Sequence, residues 1–117
     1  MKDNVIALKT LDFAIRIVNM YKYLCKEQSE FVMSKQLLRS GTSIGANVRE
    51  AEHAQSKADF LNKSNIALKE ANETCYWLEL LHKTGYLTTE MYNSISTDCE
   101  EILKILTSIV KTTKQNN

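Results

Sequence analysis

The sequence predicts an all-α protein, folded as an antiparallel up-down-up-down four-helix bundle. Proline is absent and glycine occurs only three times in 117 residues, so few positions interrupt a helix. Apolar residues recur at intervals of three and four, which is the spacing of one helix face. The polar intervals between these periodic segments are short, and short connections favour antiparallel neighbours.

Composition limits the class of protein. We expect residues 1–117 to form a single domain with a real core. Fifteen basic and fourteen acidic side chains leave a net charge of +1, which is not typical of a protein that binds polyanions through net charge. No apolar run approaches the roughly eighteen residues of a membrane span, and residues 1–20 lack the apolar centre of a signal peptide. We therefore expect a cytoplasmic protein that does not bind a membrane.

The first helix is predicted over about residues 4–26, with two apolar lines. One line contains Leu8, Leu11, Ile15 and Val18, and the other contains Phe13, Ile17, Met20 and Leu24. Two lines predict a broad buried face. Ser29 is the predicted N-cap of the second helix, and Ser34 is an alternative start.

The second helix is predicted over about residues 30–55, with one narrow apolar seam. The seam contains Leu37, Gly41, Ile44, Val48 and Ala51. Gly41 and Gly45 each cost a helix about 1 kcal/mol relative to alanine, but they allow a neighbouring backbone to approach closely. The glycines therefore predict tight packing along this helix.

The third and fourth helices are predicted over about residues 57–84 and 89–112. Ser56 followed by Asp59 resembles a capping box, and Gly85 suits the left-handed position after a helix. Thr88 or Thr89 is expected to cap the last helix. The apolar arcs of the first and third helices are wider than a monomeric bundle needs, which favours self-association.

Two segments carry a family resemblance, RSGTSIGANVREA at 39–51 and KEANETCYWLELL at 69–81. With them, the chain strongly resembles the bacterial four-helix-bundle proteins of the 23S rRNA-intervening sequence protein family over nearly its whole length. The resemblance implies an antiparallel bundle, commonly a ring of five subunits, with no established enzymatic activity. A related branch, the accessory variability determinants of diversity-generating retroelements, is thought to bind nucleic acid through a strongly basic barrel. The balanced charge of this chain departs from that branch.

A line of polar residues borders the seam of the second helix. Ser43, Asn47 and Glu50, joined by Glu70 from the third helix, are candidates for a structural polar cluster that fixes helix register or subunit contacts. A catalytic role would need a base beside a nucleophile, and neither His53 nor His82 lies in this line.

The remaining chemistry-bearing residues are sparse. The two histidines are single and lie far apart in the sequence, which is weak evidence for a metal site, so we expect no metal, cofactor or catalytic site. Cys25, Cys75 and Cys99 are odd in number and have no CxxC spacing, which is typical of free thiols. No small-molecule substrate is indicated.

The sequence therefore supports two hypotheses. The first is a non-enzymatic homo-oligomeric scaffold or adaptor, with five subunits by resemblance. The alternative is an RNA- or DNA-binding accessory protein whose basic helix faces are multiplied round the oligomer. The residues of those faces are Lys9, Arg16, Lys35, Arg39 and Arg49. Acidic neighbours such as Asp12 and Glu50 favour ordinary solvated faces instead.

Overall fold

Four helices make up almost all of the computed structural model, which describes residues 4–116. They are α1 (Asn4–Gln28), α2 (Met33–Glu52), α3 (Lys57–Lys83) and α4 (Thr89–Gln115). No strand occurs within residues 4–116. The all-α four-helix prediction is confirmed.

Each helix packs beside the next, and α1 also packs beside α4, whereas no Cα atoms of the diagonal pairs α1–α3 and α2–α4 come within 8 Å of each other. Along α1 and α4, Lys9 meets Glu101 and Arg16 meets Asp98, so the residue numbers run in opposite directions. The same reversal relates α1 to α2, where Ile17 lies against Gly41 and Thr10 against Gly45. These contacts define a square, antiparallel bundle.

One apolar core is shared by all four helices. Its fully buried large side chains include Phe13, Ile17, Leu37, Leu78 and Leu106. The predicted seam of α2 is confirmed, because its five residues are all buried. Buried leucine, isoleucine and phenylalanine side chains each stabilise the fold by roughly 1.5–3 kcal/mol.

Local signals place most of the helix ends. The Ser56 side chain accepts a hydrogen bond from the Asp59 amide, and the Thr88 side chain accepts one from the Met91 amide, so both predicted caps are confirmed. Gly85 has a φ of 88°, as predicted. The Tyr86 amide donates to the Leu81 carbonyl, and the Gly85 amide donates to the His82 carbonyl. This pair of bonds is the Schellman motif that ends many helices.

The start of α2 differs from the prediction. Ser29 is not an N-cap; it adopts a left-handed conformation with a φ of 51°, and α2 begins at Met33. Val32 occupies the N-cap position without a side-chain cap, and the Glu30 carboxylate caps the helix instead by accepting hydrogen bonds from the amides of Val32, Met33 and Ser34 at 3.1, 2.9 and 2.7 Å. These three hydrogen bonds fix the turn at residues 30–32, so α2 begins at Met33 and not at residue 30.

The other bounds also shift by at most three residues. α1 continues to Gln28, two residues beyond the predicted end, and α4 continues to Gln115, three residues beyond. α2 ends at Glu52 instead of near Gln55, because the connection to the Ser56 cap occupies the intervening residues.

The two apolar lines of α1 have different environments, which corrects the expectation of one broad buried face. Phe13, Ile17 and Leu24 are almost completely buried. The other line faces outward: Leu8, Leu11 and Ile15 are 63%, 47% and 53% exposed.

Candidate self-association surface

The exposed line of α1 is the most unusual surface feature of the described chain. Val5, which is 51% exposed, extends the line formed by Leu8, Leu11 and Ile15, and we call these four residues the α1 stripe. At 100° per residue, its centre lies about 180° from the seam that faces the core. The stripe therefore points away from the core of its own chain.

A groove between α1 and α2 adjoins the stripe and shares Leu11 with it. Its volume is about 340 Å³, and small side chains form much of its wall. The lining residues are Ala7, Leu11, Ala14, Thr42, Gly45, Ala46, Arg49 and Glu50. Because alanine and glycine leave room beside a helix pair, the groove can accept larger apolar side chains from outside.

The four candidates for a polar cluster have separate partners or surroundings among residues 4–116. Ser43 Oγ donates to the Arg39 carbonyl and Asn47 Nδ2 donates to the Ser43 carbonyl, so both side chains are satisfied by α2 itself. Glu50 is exposed at the rim of the groove. Glu70 pairs with Arg39. No hydrogen bond among the described residues joins the four side chains of the proposed cluster to one another.

A different polar contact links α2 and α3. A buried hydrogen bond of 2.9 Å joins Thr74 Oγ1 to Ser40 Oγ. The sequence does not indicate this pair, because only the register of α2 against α3 brings the two residues together. The bond satisfies two hydroxyls at a packed interface, as buried polar groups require.

Three of the five basic candidates are paired with acids of another helix. Lys9 lies 3.2 Å from Glu101, and Arg16 lies 2.6 Å from Asp98. Arg16 also donates to the Ser94 hydroxyl at 2.8 Å. These contacts join α1 to α4. Because Lys9 and Arg16 are each paired with an acidic side chain of α4, they do not form a row of unpaired basic residues.

Arg39 is the centre of a second ionic group. It pairs with Glu70 and Glu73 of α3, and Glu73 also accepts a hydrogen bond from Trp77 Nε1 at 3.1 Å. Lys35 and Arg49 are exposed and have no ion pair among residues 4–116. The five basic residues therefore do not form one continuous surface.

The two histidines lie far apart. His53 is exposed at the end of α2. Near the end of α3, His82 stacks on Tyr92 with ring centroids 4.5 Å apart. Burial, together with nearby acidic groups, raises the pKa of Tyr92. Within the described residues, no three metal-ligating side chains come together, and no helix has the length and hydropathy of a membrane span.

These features define the chain as a small antiparallel four-helix-bundle protein with an apolar outer face on its first helix. The family described as 23S rRNA-intervening sequence protein matches residues 2–108. The chain belongs to this family, and the resemblance noted from its sequence is confirmed.

A solved structure supports the same assignment. A protein of unknown function from the S23 ribosomal protein family of Bacteroides thetaiotaomicron is 70% identical to this chain. The match covers 95% of this chain and 99% of that one, with a TM-score of 0.92. No match is found among the curated proteins.

Proposed function

We propose that the protein is a non-enzymatic, homo-oligomeric scaffold or adaptor whose copies associate through the α1 stripe and the adjoining α1–α2 groove. The single observation that carries this proposal is the outward-facing position of Val5, Leu8, Leu11 and Ile15 on a helix whose opposite side is fully packed. Aligned apolar side chains of this kind mark protein-binding surfaces.

The occupant that fits best is a second copy of the chain. The stripe presents branched side chains, whereas the groove is formed largely by Ala7, Ala14, Gly45 and Ala46. Every copy therefore carries both the large side chains of the stripe and a groove of small residues that can receive them from another copy. When such a contact is head to tail and its rotation closes, it produces a ring, including one with an odd number of subunits.

The family resemblance supports five subunits for such a ring. Covering a half-exposed leucine or isoleucine contributes on the order of 1 kcal/mol, and several copies of the interface add together in a closed ring. We accordingly propose a homopentamer that acts in the cytoplasm by binding, without a cofactor.

Sedimentation velocity at micromolar concentration tests the proposal. The wild-type chain is expected to sediment at about five times its 13.4 kDa mass. The stripe variant, Leu8→Gln/Leu11→Gln/Ile15→Gln, is expected to sediment as a monomer with unchanged helicity, because these side chains already face outward in the single chain.

Tyr76→Gln is the matched control. Tyr76 is also large and exposed, but it lies on α3, where no Cα atom comes within 8 Å of α1. This variant is expected to keep the wild-type mass. A monomeric wild type, or a stripe variant that retains the oligomer, contradicts the proposal.

The nucleic-acid alternative has weaker support. Lys9, Arg16 and Arg39 already have acidic partners, which leaves Lys35 and Arg49 as the unpaired members of the predicted set. Two cations per subunit give a shallow salt dependence unless a ring multiplies them. Binding of a single-stranded RNA or DNA that weakens steeply with salt, and is lost in Lys35→Gln/Arg49→Gln, would favour this alternative.

A further inference from the structure

Two thiols on adjacent helices lie close together. Cys75 of α3 and Cys99 of α4 have their Sγ atoms 2.9 Å apart, and both are free cysteines. That distance exceeds the roughly 2.05 Å of a disulfide bond by less than about 1 Å. The two sulfurs therefore lie within about 1 Å of bonding distance.

The two thiols have unequal surroundings. Cys75 is half-buried, whereas Cys99 is fully buried and its Sγ lies 3.6 Å from the Ala71 carbonyl oxygen. The hydrogen bond from Cys99 lowers the pKa of Cys75 despite partial burial. The same hydrogen bond, together with burial, raises the pKa of Cys99. Of the two thiols, Cys75 is therefore the more accessible and the first to ionise, and Cys99 lies behind it.

We propose that Cys75 and Cys99 form a reversible oxidation site, in which a hydroperoxide converts the two thiols to a disulfide that ties α3 to α4. The Cys75 thiolate attacks one peroxide oxygen, the O–O bond breaks, and hydroxide leaves, which oxidises Cys75 to a sulfenic acid. Cys99 sulfur then attacks the Cys75 sulfur, and the sulfenic hydroxyl leaves as water with the proton of Cys99. Two thiols and one hydrogen peroxide thereby give one disulfide and two waters.

The site is independent of the proposed association surface. Cys75 faces Cys99 of α4, whereas the α1 stripe lies on α1, and no Cα atom of α3 comes within 8 Å of one in α1. A dithiol reductant reverses the step by thiol–disulfide exchange. Cys25 lies on α1, with its Sγ 3.8 Å from Ser34 Oγ, and has no cysteine partner among the described residues. Its oxidation can therefore be compared with that of the Cys75–Cys99 pair in the same chain.

The test uses the full chain treated with hydrogen peroxide. Thiol titration in denaturant is expected to fall from three free thiols to one, and peptide mapping is expected to find Cys75 joined to Cys99 with a mass loss of about 2 Da. Dithiothreitol should restore all three thiols. The cross-link should also raise the thermal midpoint by roughly 5–15 °C.

Three variants sharpen the result. Cys25→Ser should still form the cross-link, whereas Cys99→Ser and Cys75→Ser should not. Peroxide should instead oxidise Cys75 of the Cys99→Ser variant to sulfinic acid, because the resolving thiol is missing. The proposal is overturned if wild-type Cys75 reaches sulfinic acid without a cross-link, if all three thiols survive, or if Cys25 forms the main disulfide.

Discussion

At the residue scale, Gly41 lies where α2 packs closely against the Ile17 side chain of α1. A Cβ at this position would lie 2.8 Å from two carbons of the buried Ile17 side chain, whereas a Cβ at Gly45 would lie 3.4 Å from Thr10. The first distance requires a shift in the core, and the second is ordinary contact. The same residue type therefore has different roles one turn apart.

Gly41→Ala is expected to destabilise the fold, although alanine favours helix by about 1 kcal/mol. Overpacking against Ile17 costs on the order of 1–3 kcal/mol, which outweighs that gain. Urea denaturation gives the free energy of unfolding. Gly45→Ala is the matched control and should be neutral or stabilising; equal losses in both variants contradict the argument. Because Gly45 lines the groove, both changes are measured in the monomeric stripe variant.

At the element scale, the start of α2 depends on one carboxylate. Burial alone raises the pKa of Glu30, but hydrogen bonds from the amides of Met33, Ser34 and Val32 outweigh it, so the pKa is lowered. Charge-assisted bonds to helix amides are stronger than neutral ones. Glu30 thus replaces the usual serine or aspartate cap.

Glu30→Gln should lower the free energy of unfolding at pH 7 by about 1–2 kcal/mol, the usual cost of losing a helix cap. A lowered pKa means that this stabilisation is fully present above the unfolded value of about 4.3. It is lost as pH falls through the lower folded value, so wild type and variant should converge in acid. Denaturation from pH 7 to 3 measures this difference. Exposed Glu27→Gln is the control, and a gap that stays constant with pH would argue against the cap.

Some elements could be predicted from sequence because their signals are local. The caps at Ser56 and Thr88 and the glycine at Gly85 depend only on neighbouring residues. The capping role of Glu30 could not be predicted, because glutamate is not a usual N-cap and its carboxylate reaches amides two to four residues further along the chain. Burial of the α2 seam was predictable because that helix has one apolar line.

Other features required the three-dimensional arrangement. Both apolar lines of α1 repeat at helical spacing, and periodicity cannot show which one faces the core. Arg16 and Asp98 are 82 residues apart, so their pairing depends on which helices are adjacent. For the same reason, the sequence predicts neutralisation of the basic residues by Asp12 and Glu50, whereas the observed partners come from α3 and α4.

At the scale of the whole molecule, α1 has two apolar faces back to back. In the proposed oligomer, one face packs in the core and the other packs against a neighbouring copy, so unfolding and dissociation should be coupled. The thermal midpoint of wild type is therefore expected to rise with protein concentration, by mass action. Differential scanning fluorimetry across a hundredfold dilution checks this, and the stripe variant should show a constant midpoint. A concentration-independent wild-type midpoint would count against the coupling.

The antiparallel contact between α1 and α4 has a consequence for chain connectivity. Because Lys9 meets Glu101 and Arg16 meets Asp98, the beginning of α1 and the end of α4 lie at the same end of the bundle. A flexible linker could join Asn4 to Gln115, and the chain could be cut open in the exposed turn at Gly85 instead. A circular permutant of this kind should fold to the same bundle, with the order of its helices rotated.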